Sequence, residues 1–358
     1  MHAVIMAGGK GTRFWPRSRE RMPKHLLNII SAKTIIRETV ERLIPFIPPK
    51  NILIVTGQSH ADELISQLPE IPEENIIIEP TGRNTAPCIG LAALHVEKET
   101  ANDVMIVLPA DHFIADKDRF LHTLAAAVET ARQGDHIITI GIEPTAPETG
   151  YGYIEQGSLK TTVRGEDIYE VRSIREKPAS EQARQFLQQG GFSWNSGIFI
   201  GNVSTMLCAL KQWLPALYEG LCEIKNALGT DREKSAVDRV YRRTEPVSFD
   251  YGVMEKADNA LIIRGDFGWC DVGSWDALWE ISQKDTAGNA VTGTGTFVGL
   301  GAENSLVYSP RKLVALVGVT DLIVVETEDA LLICRRGASQ DVKNVVEKLE
   351  SKNMKAYL

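Results

Sequence analysis

The first twenty-five residues hold the densest chemistry in the chain. An apolar run, Ala3-Val4-Ile5-Met6-Ala7, opens into Gly8-Gly9-Lys10-Gly11-Thr12-Arg13, and the loop Trp15-Pro16-Arg17-Ser18-Arg19-Glu20-Arg21-Met22-Pro23-Lys24 follows. A glycine-rich turn after a buried strand lets backbone N–H groups approach an anion closely, where a larger side chain would stand in the way. Lys10, Arg13, Arg17, Arg19, Arg21 and Lys24 face one acidic residue, Glu20, in a chain of net charge -8. Clustered cations beside such a turn point to a small polyphosphate. The plainer alternative is an ordinary glycine turn with a solvated basic face. A Walker loop needs four residues between its glycines, and a dinucleotide fingerprint needs Gly-x-Gly-x-x-Gly; this spacing matches neither.

Four further clusters carry chemistry. Leu108-Pro109-Ala110-Asp111-His112 ends an apolar run with a carboxylate, suited to a Mg²⁺ ion facing phosphates or to capping the next helix. Trp269-Cys270-Asp271-Val272-Gly273-Ser274-Trp275 sets a second carboxylate among aromatics. Arg175-Glu176-Lys177-Pro178 aims a charge pair into a loop at a proline, and its bland reading is a surface ion pair. Glu79-Pro80-Thr81-Gly82-Arg83-Asn84-Thr85-Ala86-Pro87 packs small, hydrogen-bonding residues that suit a nucleobase or ribose edge as well as a turn.

These residues need a scaffold, and the apolar pattern predicts one. Strands are expected at Ala3–Ala7, Asn51–Thr56, Asn75–Glu79, Val104–Pro109 and His136–Ile142. Ile35, Ile36, Thr39, Val40 and Leu43 share a helical face behind a Ser31 cap; Phe120, Leu124, Ala127, Val128 and Ala131 share another. Alternating strands and helices read as an α/β fold with a mostly parallel sheet covered on both faces. Ligands bind beyond the carboxyl ends of such strands, where the glycine loop and Asp111 fall. From about residue 150 the pattern turns mixed, with helices around Ser180–Gln189 and Val203–Leu228, and reads as an antiparallel addition to the same domain. After Trp275–Gln283 come short β-like runs: Thr296–Val298, Leu306–Tyr308, Leu313–Val317, Leu322–Glu326 and Ala330–Cys334. A closing helix carries Val342, Val345, Val346 and Leu349. No long internal repeat is evident. The expected domains are 1–283 and 284–358.

Composition narrows the function classes. At 358 residues the chain is long for one domain, and its 43% hydrophobic content supplies ample apolar surface to bury. The acidic balance argues against nucleic acid and membrane surfaces as partners. Five scattered cysteines, none in a Cys-x-x-Cys pair, suit a reducing cytoplasm and offer no zinc framework. The N-terminal apolar run is broken by Gly8-Gly9, unlike a signal peptide, and the late run Leu313–Val325 is too short and polar to span a bilayer.

In their order along the chain, these motifs resemble the sugar-1-phosphate nucleotidylyltransferases, most closely the mannose-1-phosphate guanylyltransferases. The resemblance covers essentially the whole chain. It rests on Gly8–Arg13 with Trp15-Pro16 and Pro23-Lys24, on Glu79 and Gly82-Arg83-Asn84-Thr85-Ala86-Pro87, and on Leu108–His112. It continues through Gly150-Tyr151-Gly152-Tyr153-Ile154, Glu176-Lys177-Pro178, Trp194-Asn195-Ser196-Gly197-Ile198-Phe199, Phe249-Asp250-Tyr251-Gly252-Val253-Met254-Glu255-Lys256 and Asp271-Val272-Gly273-Ser274-Trp275. His25 stands where the family usually has Gln after Pro-Lys. Longer relatives append an isomerase domain, and a chain ending at Leu358 is expected to carry a single activity.

The resemblance implies a Rossmann-like, GT-A-like catalytic domain and a small left-handed β-helix-like C-terminal domain. It implies transfer of GMP from GTP to α-D-mannose 1-phosphate, with pyrophosphate released. The apolar runs Leu313–Val317 and Leu322–Val325 are more than a small unit can bury alone, so the terminal domain is expected to pack onto the catalytic domain and contribute to a cytoplasmic homodimer. The implied nucleotide site is Gly8, Gly9, Gly11, Thr12, Arg13, Lys24, Asn84, Thr85, Ala86 and Asp111. The implied sugar-phosphate site is Gly150, Tyr151, Gly152, Glu176, Lys177, Asn195 and Asp271, with Asp111 and Asp271 holding Mg²⁺. Arg13, Lys24, Asp111, Lys177 and Asp271 are the implied catalytic set. Alternatives are another base or sugar, a GT-A-type glycosyltransferase, which would release GDP instead of pyrophosphate, or a noncatalytic regulatory paralogue.

Overall fold

All five apolar runs become strands in the computed structural model, which describes residues 1–358 apart from Lys10 and Ala101. The lysine of the glycine motif therefore lies outside the described residues. The runs form β1 (His2–Ala7), β2 (Ile52–Gly57), β3 (Ile76–Glu79), β4 (Val104–Pro109) and, after the two-residue β5 (Phe113–Ile114), β6 (Ile137–Ile142). α1 spans Ile35–Leu43 as the periodicity predicts. Ser31 is not its cap. The helix starts four residues later, and the Ser31 hydroxyl accepts from the Lys33 N–H and donates to Glu38 instead.

The chain forms two compact units. The first comprises Met1–Gly8, Val40–Pro109 and Ile114–Trp269. With β7 (Tyr153–Val163), β8 (Glu166–Arg175), β9 (Phe192–Asn202) and β10 (Ala260–Gly265), its strands make a nine-stranded sheet in the order β3-β2-β1-β4-β9-β6-β10-β8-β7. β1 to β4 pair parallel, Val4 lying against both Leu53 and Val107. β9 enters antiparallel between β4 and β6, so the later strands join the same sheet. The unit's core is continuous from Val4 and Val55 through Phe199, Phe249 and Ile262. Residues buried on both sheet faces explain why the parallel strands read as unbroken apolar runs.

Helices α2 (Ala61–Gln67), α3 (Thr85–Glu99), α4 (Lys117–Arg132), α5 (Ser180–Gln189), α6 (Val203–Trp213), α7 (Pro215–Ala227) and α8 (Glu233–Arg243) complete this unit. On α4 the predicted face Phe120, Leu124, Ala127, Val128 and Ala131 is buried. The 203–228 stretch is two helices, because Pro215 lacks the N–H that would continue α6. No helix among the described residues is long and apolar enough to cross a membrane.

The second unit comprises Gly9–Thr39, Ala110–Phe113 and Cys270–Leu358. After the two-residue β11 (Trp269–Cys270) come α9 (Trp275–Ile281), β12 (Ala290–Thr292), β13 (Thr296–Leu300), β14 (Leu306–Tyr308), β15 (Leu313–Val317), β16 (Leu322–Glu326), β17 (Leu331–Arg335) and α10 (Val342–Ser351). β12, β14 and β16 stack in parallel, so that Ala290, Leu306 and Ile323, all fully buried, form one column. The partners are sixteen and seventeen residues apart, a coil-length repeat that sequence inspection missed because Gly and Asn turns vary between coils. β13 and β15 stack parallel as a second wall, and β17 closes the first antiparallel. These coils, Val342 and Val346 of α10, and Phe14, Trp15 and Trp275 share one core.

Candidate active site

In the second unit the glycine turn is shaped by what packs against it. Gly9 and Gly11 adopt φ of 98° and 60°, in the left-handed region that side chains disfavour. A Cβ on Gly11 would also lie 2.7 Å from the Lys24 Cβ, so only glycine fits there. The Gly11 carbonyl accepts from the Phe14 N–H (3.0 Å) and the Ser18 hydroxyl (2.7 Å), which tightens the turn Thr12–Phe14. Phe14 packs on Trp275 with ring centroids 4.9 Å apart, and the Trp275 indole donates to the Trp15 carbonyl. Arg13 projects from this rigid base into solvent.

Lys24 is buried and brings the two predicted aspartates to one cation. Its ammonium lies 2.8 Å from the Asp111 carboxylate and donates to the Asp271 backbone carbonyl. Burial alone would raise the Asp111 pKa; Lys24 first, with His112 and His25, outweighs it and holds the carboxyl below its ordinary value. The Asp271 carboxylate accepts from the Gly273 N–H (2.9 Å), across Val272, whose φ of 47° is strained for a β-branched residue. Complete burial of Val272 in the unit's core holds that strain. Ser274 caps α9 by accepting from Ala277.

Two of the six predicted cations serve the second unit's own structure. Arg17 donates to Asn28 (2.7 Å) and lies over the Tyr308 ring; Arg19 pairs with Asp329 (2.7 Å) and with the Tyr357 carbonyl. Counting charges in the loop therefore overstated the positive field available to a phosphate.

The first unit gathers the predicted sugar-phosphate residues. Asn195 donates its backbone N–H to the Gly152 carbonyl (2.8 Å), and Lys177 donates its own to the Tyr151 carbonyl (3.2 Å). A Cβ on Gly152 would meet the Glu176 carboxylate at 2.3 Å and the Asn195 Cβ at 3.3 Å, so a larger residue there would push the Glu176 side chain aside. Tyr151 stacks edge-on against Trp194 and Trp269. Lys177, at φ 47°, keeps an exposed ammonium 3.1 Å from Glu176. Gly150 and Gly8 border open space.

The nucleotide residues assigned to this unit are tied into its framework. Asn84, at φ 70°, caps α3 by accepting from Thr85 (2.9 Å). The Thr85 hydroxyl accepts from the Phe249 N–H (2.8 Å), and the Ala86 N–H donates to the Val247 carbonyl (3.1 Å). Glu79, at the end of edge strand β3, is buried and its Oε1 accepts no hydrogen bond among the described residues. Burial pushes its pKa up to about 7 against the lowering effect of the Tyr241 hydroxyl.

Sequence reasoning quoted Asp250 and Glu255 within a matching motif but assigned them no site role; they hold Asn195 and Glu176. Their signal was that motif, with a pair of carboxylates flanking Tyr251–Met254. Among the described residues no three of His, Cys, Asp or Glu gather as a metal site. A cation held by Asp111 and Asp271 would draw its remaining ligands from outside the protein. That donor set fits a hard divalent ion, which takes one or two carboxylates with phosphates and waters.

Comparison with known proteins agrees with this architecture. Residues 2–288 match the Nucleotidyl transferase family, and residues 295–349 match the MannoseP isomerase/GMP-like beta-helix domain. The chain is 37% identical to a mannose-1-phosphate guanylyltransferase of Escherichia coli, over 99% of this chain and 76% of that protein. It is 38% identical to one from Klebsiella pneumoniae, over 99% and 75%. A solved structure from Thermus thermophilus, described as a mannose-1-phosphate geranyltransferase, aligns with a TM-score of 0.88 at 34% identity, covering 98% of this chain and 99% of that one. With its glycine turn, its buried lysine, its paired aspartates and a sheet of this order, the chain belongs to the nucleotidyl transferase family, among the mannose-1-phosphate guanylyltransferases.

Proposed function

We propose that the protein transfers GMP from GTP to α-D-mannose 1-phosphate, forming GDP-mannose and releasing pyrophosphate. The family's substrates are a nucleoside triphosphate and a sugar 1-phosphate, and its members use a divalent metal. The observation that carries the reading is Lys24, buried against the Gly11 turn with both Asp111 and Asp271 on its ammonium.

The attacking sugar phosphate is already an anion, so the chemistry needs no general base. A phosphate oxygen attacks the α-phosphorus, the bond to the β-phosphate bridging oxygen breaks, and pyrophosphate leaves. The barrier lies in bringing two polyanions together in line and stabilising the departing charge. Gly8, Gly9, Gly11 and Thr12 offer backbone N–H groups to the nucleotide. Arg13 gathers charge on the leaving group, and Lys24 binds the nucleotide phosphates; Asn84, Thr85 and Ala86 border the nucleoside. Lys177 grips the sugar phosphate, Glu176 and Asn195 take mannose hydroxyls, and Gly150, Tyr151 and Gly152 lie against the ring. Asp111 and Asp271 are the residues that would hold Mg²⁺, which supplies charge neutralisation across both phosphates when bound.

In this reading residues 1–283 are the catalytic domain and 284–358 a small left-handed β-helix-like domain of a cytoplasmic homodimer. Five free cysteines suit a reducing compartment. The exposed apolar row Leu300, Leu313, Val317, Leu331 and Ile333 on the coils is the support for self-association. Pyrophosphate release across a grid of nucleoside triphosphates and sugar 1-phosphates tests the reaction. The greatest kcat/KM is expected for GTP with mannose 1-phosphate; a different preferred pair, or GDP as the released product, would overturn it.

A further inference from the structure

Every polar atom of the Asn195 side chain has a defined role. Its Oδ1 accepts from the Gly197 N–H at 3.1 Å, which settles which end of the amide is oxygen, and the Thr139 hydroxyl lies 3.1 Å from both this Oδ1 and the Ile198 carbonyl. Its Nδ2 donates to Asp250 Oδ1 at 2.6 Å, leaving one N–H for a substrate. Asn195 is 8% exposed, so this geometry is enforced in a largely dry setting.

Asp250 is itself held firmly. It opens a widened π-helical turn, Asp250–Met254, of a kind that recurs at functional sites. Phe249 before it is fully buried, and the Gly252 position faces Leu214 so closely that a Cβ would lie 2.9 Å from it. The same segment reaches the other predicted sugar ligand. Glu255 accepts the Glu176 N–H (3.0 Å), and the Tyr251 hydroxyl donates to the Glu176 carbonyl (3.2 Å). One short stretch thus fixes both residues assigned to sugar hydroxyls.

We propose that Asp250 is a specificity-determining positioning residue for the sugar 1-phosphate, acting through the amide of Asn195, with Tyr251 and Glu255 setting Glu176 in the same way. The inference rests on the assignment of Asn195 and Glu176 to the sugar made above. Burial, then the charge of Glu176, pushes the Asp250 pKa up to about 6. Near neutrality it is mostly ionised, and its bond to Asn195 is charge-assisted.

The test is steady-state kinetics of the full-length enzyme with GTP and mannose 1-phosphate or glucose 1-phosphate, sugars that differ in one hydroxyl's configuration. Asp250→Ala is expected to raise KM for mannose 1-phosphate about tenfold or more, as loss of a charged hydrogen bond does. KM for GTP should stay within about twofold, and discrimination between the two sugars should shrink by a similar factor. Asp250→Asn keeps an acceptor of the same shape without the charge and should recover about half of the loss in free energy. Should the alanine variant not fold, Thr139→Val removes the bond at the other end of the same amide and should raise the sugar KM selectively. Parallel increases in both KM values, or an asparagine variant no better than alanine, would overturn the proposal. Asn195→Ala separates the two levels: if it leaves the sugar KM unchanged, the site assignment fails; if it raises KM while Asp250→Ala does not, only the positioning role fails.

Discussion

The ammonium of Lys24 lies 2.8 Å from the Asp111 carboxylate and also donates to the Asp271 backbone carbonyl. These two aspartates are 160 positions apart in sequence, and one buried cation registers them. Asp111 and Asp271 then differ in what a substitution removes. Asp111 neutralises Lys24 through its side chain, whereas Asp271 engages it through the backbone, and its carboxylate accepts from the Gly273 N–H.

Replacing either aspartate by asparagine keeps the shape and removes the charge. Turnover is expected to fall on the order of 10²-fold or more for each. Raising Mg²⁺ should restore part of the Asp271→Asn loss if the defect is cation affinity. Asp111→Asn should recover less, because it also leaves Lys24 without its charge partner. Mg²⁺ titrations of initial rate check this, and near-normal turnover in either variant would sink the shared-cation assignment.

Gly11→Ala adds a methyl where the Lys24 Cβ already stands, on a backbone at φ 60°. The strain should cost about 1–3 kcal/mol of stability. Because Lys24 must shift, KM for GTP should rise as well. A melting curve and a GTP saturation curve suffice; an unchanged pair would show that the turn tolerates what its geometry forbids.

Lys177 is exposed, and Glu176 is its ion-pair partner at 3.1 Å. Lys177→Ala should therefore leave folding nearly untouched while weakening mannose 1-phosphate much more than GTP. Calorimetric titration of each substrate would show the difference, and equal weakening of both would place Lys177 outside the acceptor site.

Glu79 gives a pH signature of stability. Its carboxyl has a pKa of about 7 in the folded chain against an ordinary value of 4.5. Over that window the native state keeps a proton that the unfolded chain has released. The stabilisation is full below about pH 4.5 and is lost as pH rises through about 7, a change on the order of 3 kcal/mol. Glu79→Gln should flatten this decline in denaturant-unfolding free energy. An identical pH slope in both proteins would contradict the shifted carboxyl.

Much of this was legible in the chain. Strand β4 has the bounds its apolar run predicts, and α5 ends where its periodicity does, because burial on a sheet or helix face writes itself into residue type. The Gly11 turn and the convergence of Lys24, Asp111 and Asp271 also follow residues that were conspicuous in the sequence. Other features were hidden. β10 lies inside the sheet between β6 and β8, yet its short run Ala260–Ile263 carries no flanking helix signal. Arg17 and Arg19 looked like phosphate ligands because their partners, Tyr308 and Asp329, lie some three hundred residues downstream. Asp250 stood in a motif of the resemblance but had no role assigned to it, since its importance lies in what Asn195 does with it.

The reversed last strand of the coil stack has a consequence for assembly. A stack of parallel coils whose two ends matched would be complementary to itself by simple translation, and copies could add end to end without limit. β17 runs antiparallel to β16, while the opposite edge, β12, belongs to the parallel series. The parallel series therefore stops at β16, and the register that adds one coil to the next is not continued beyond it. A fold built from repeats is thereby given a defined last coil, marked by the direction of five residues.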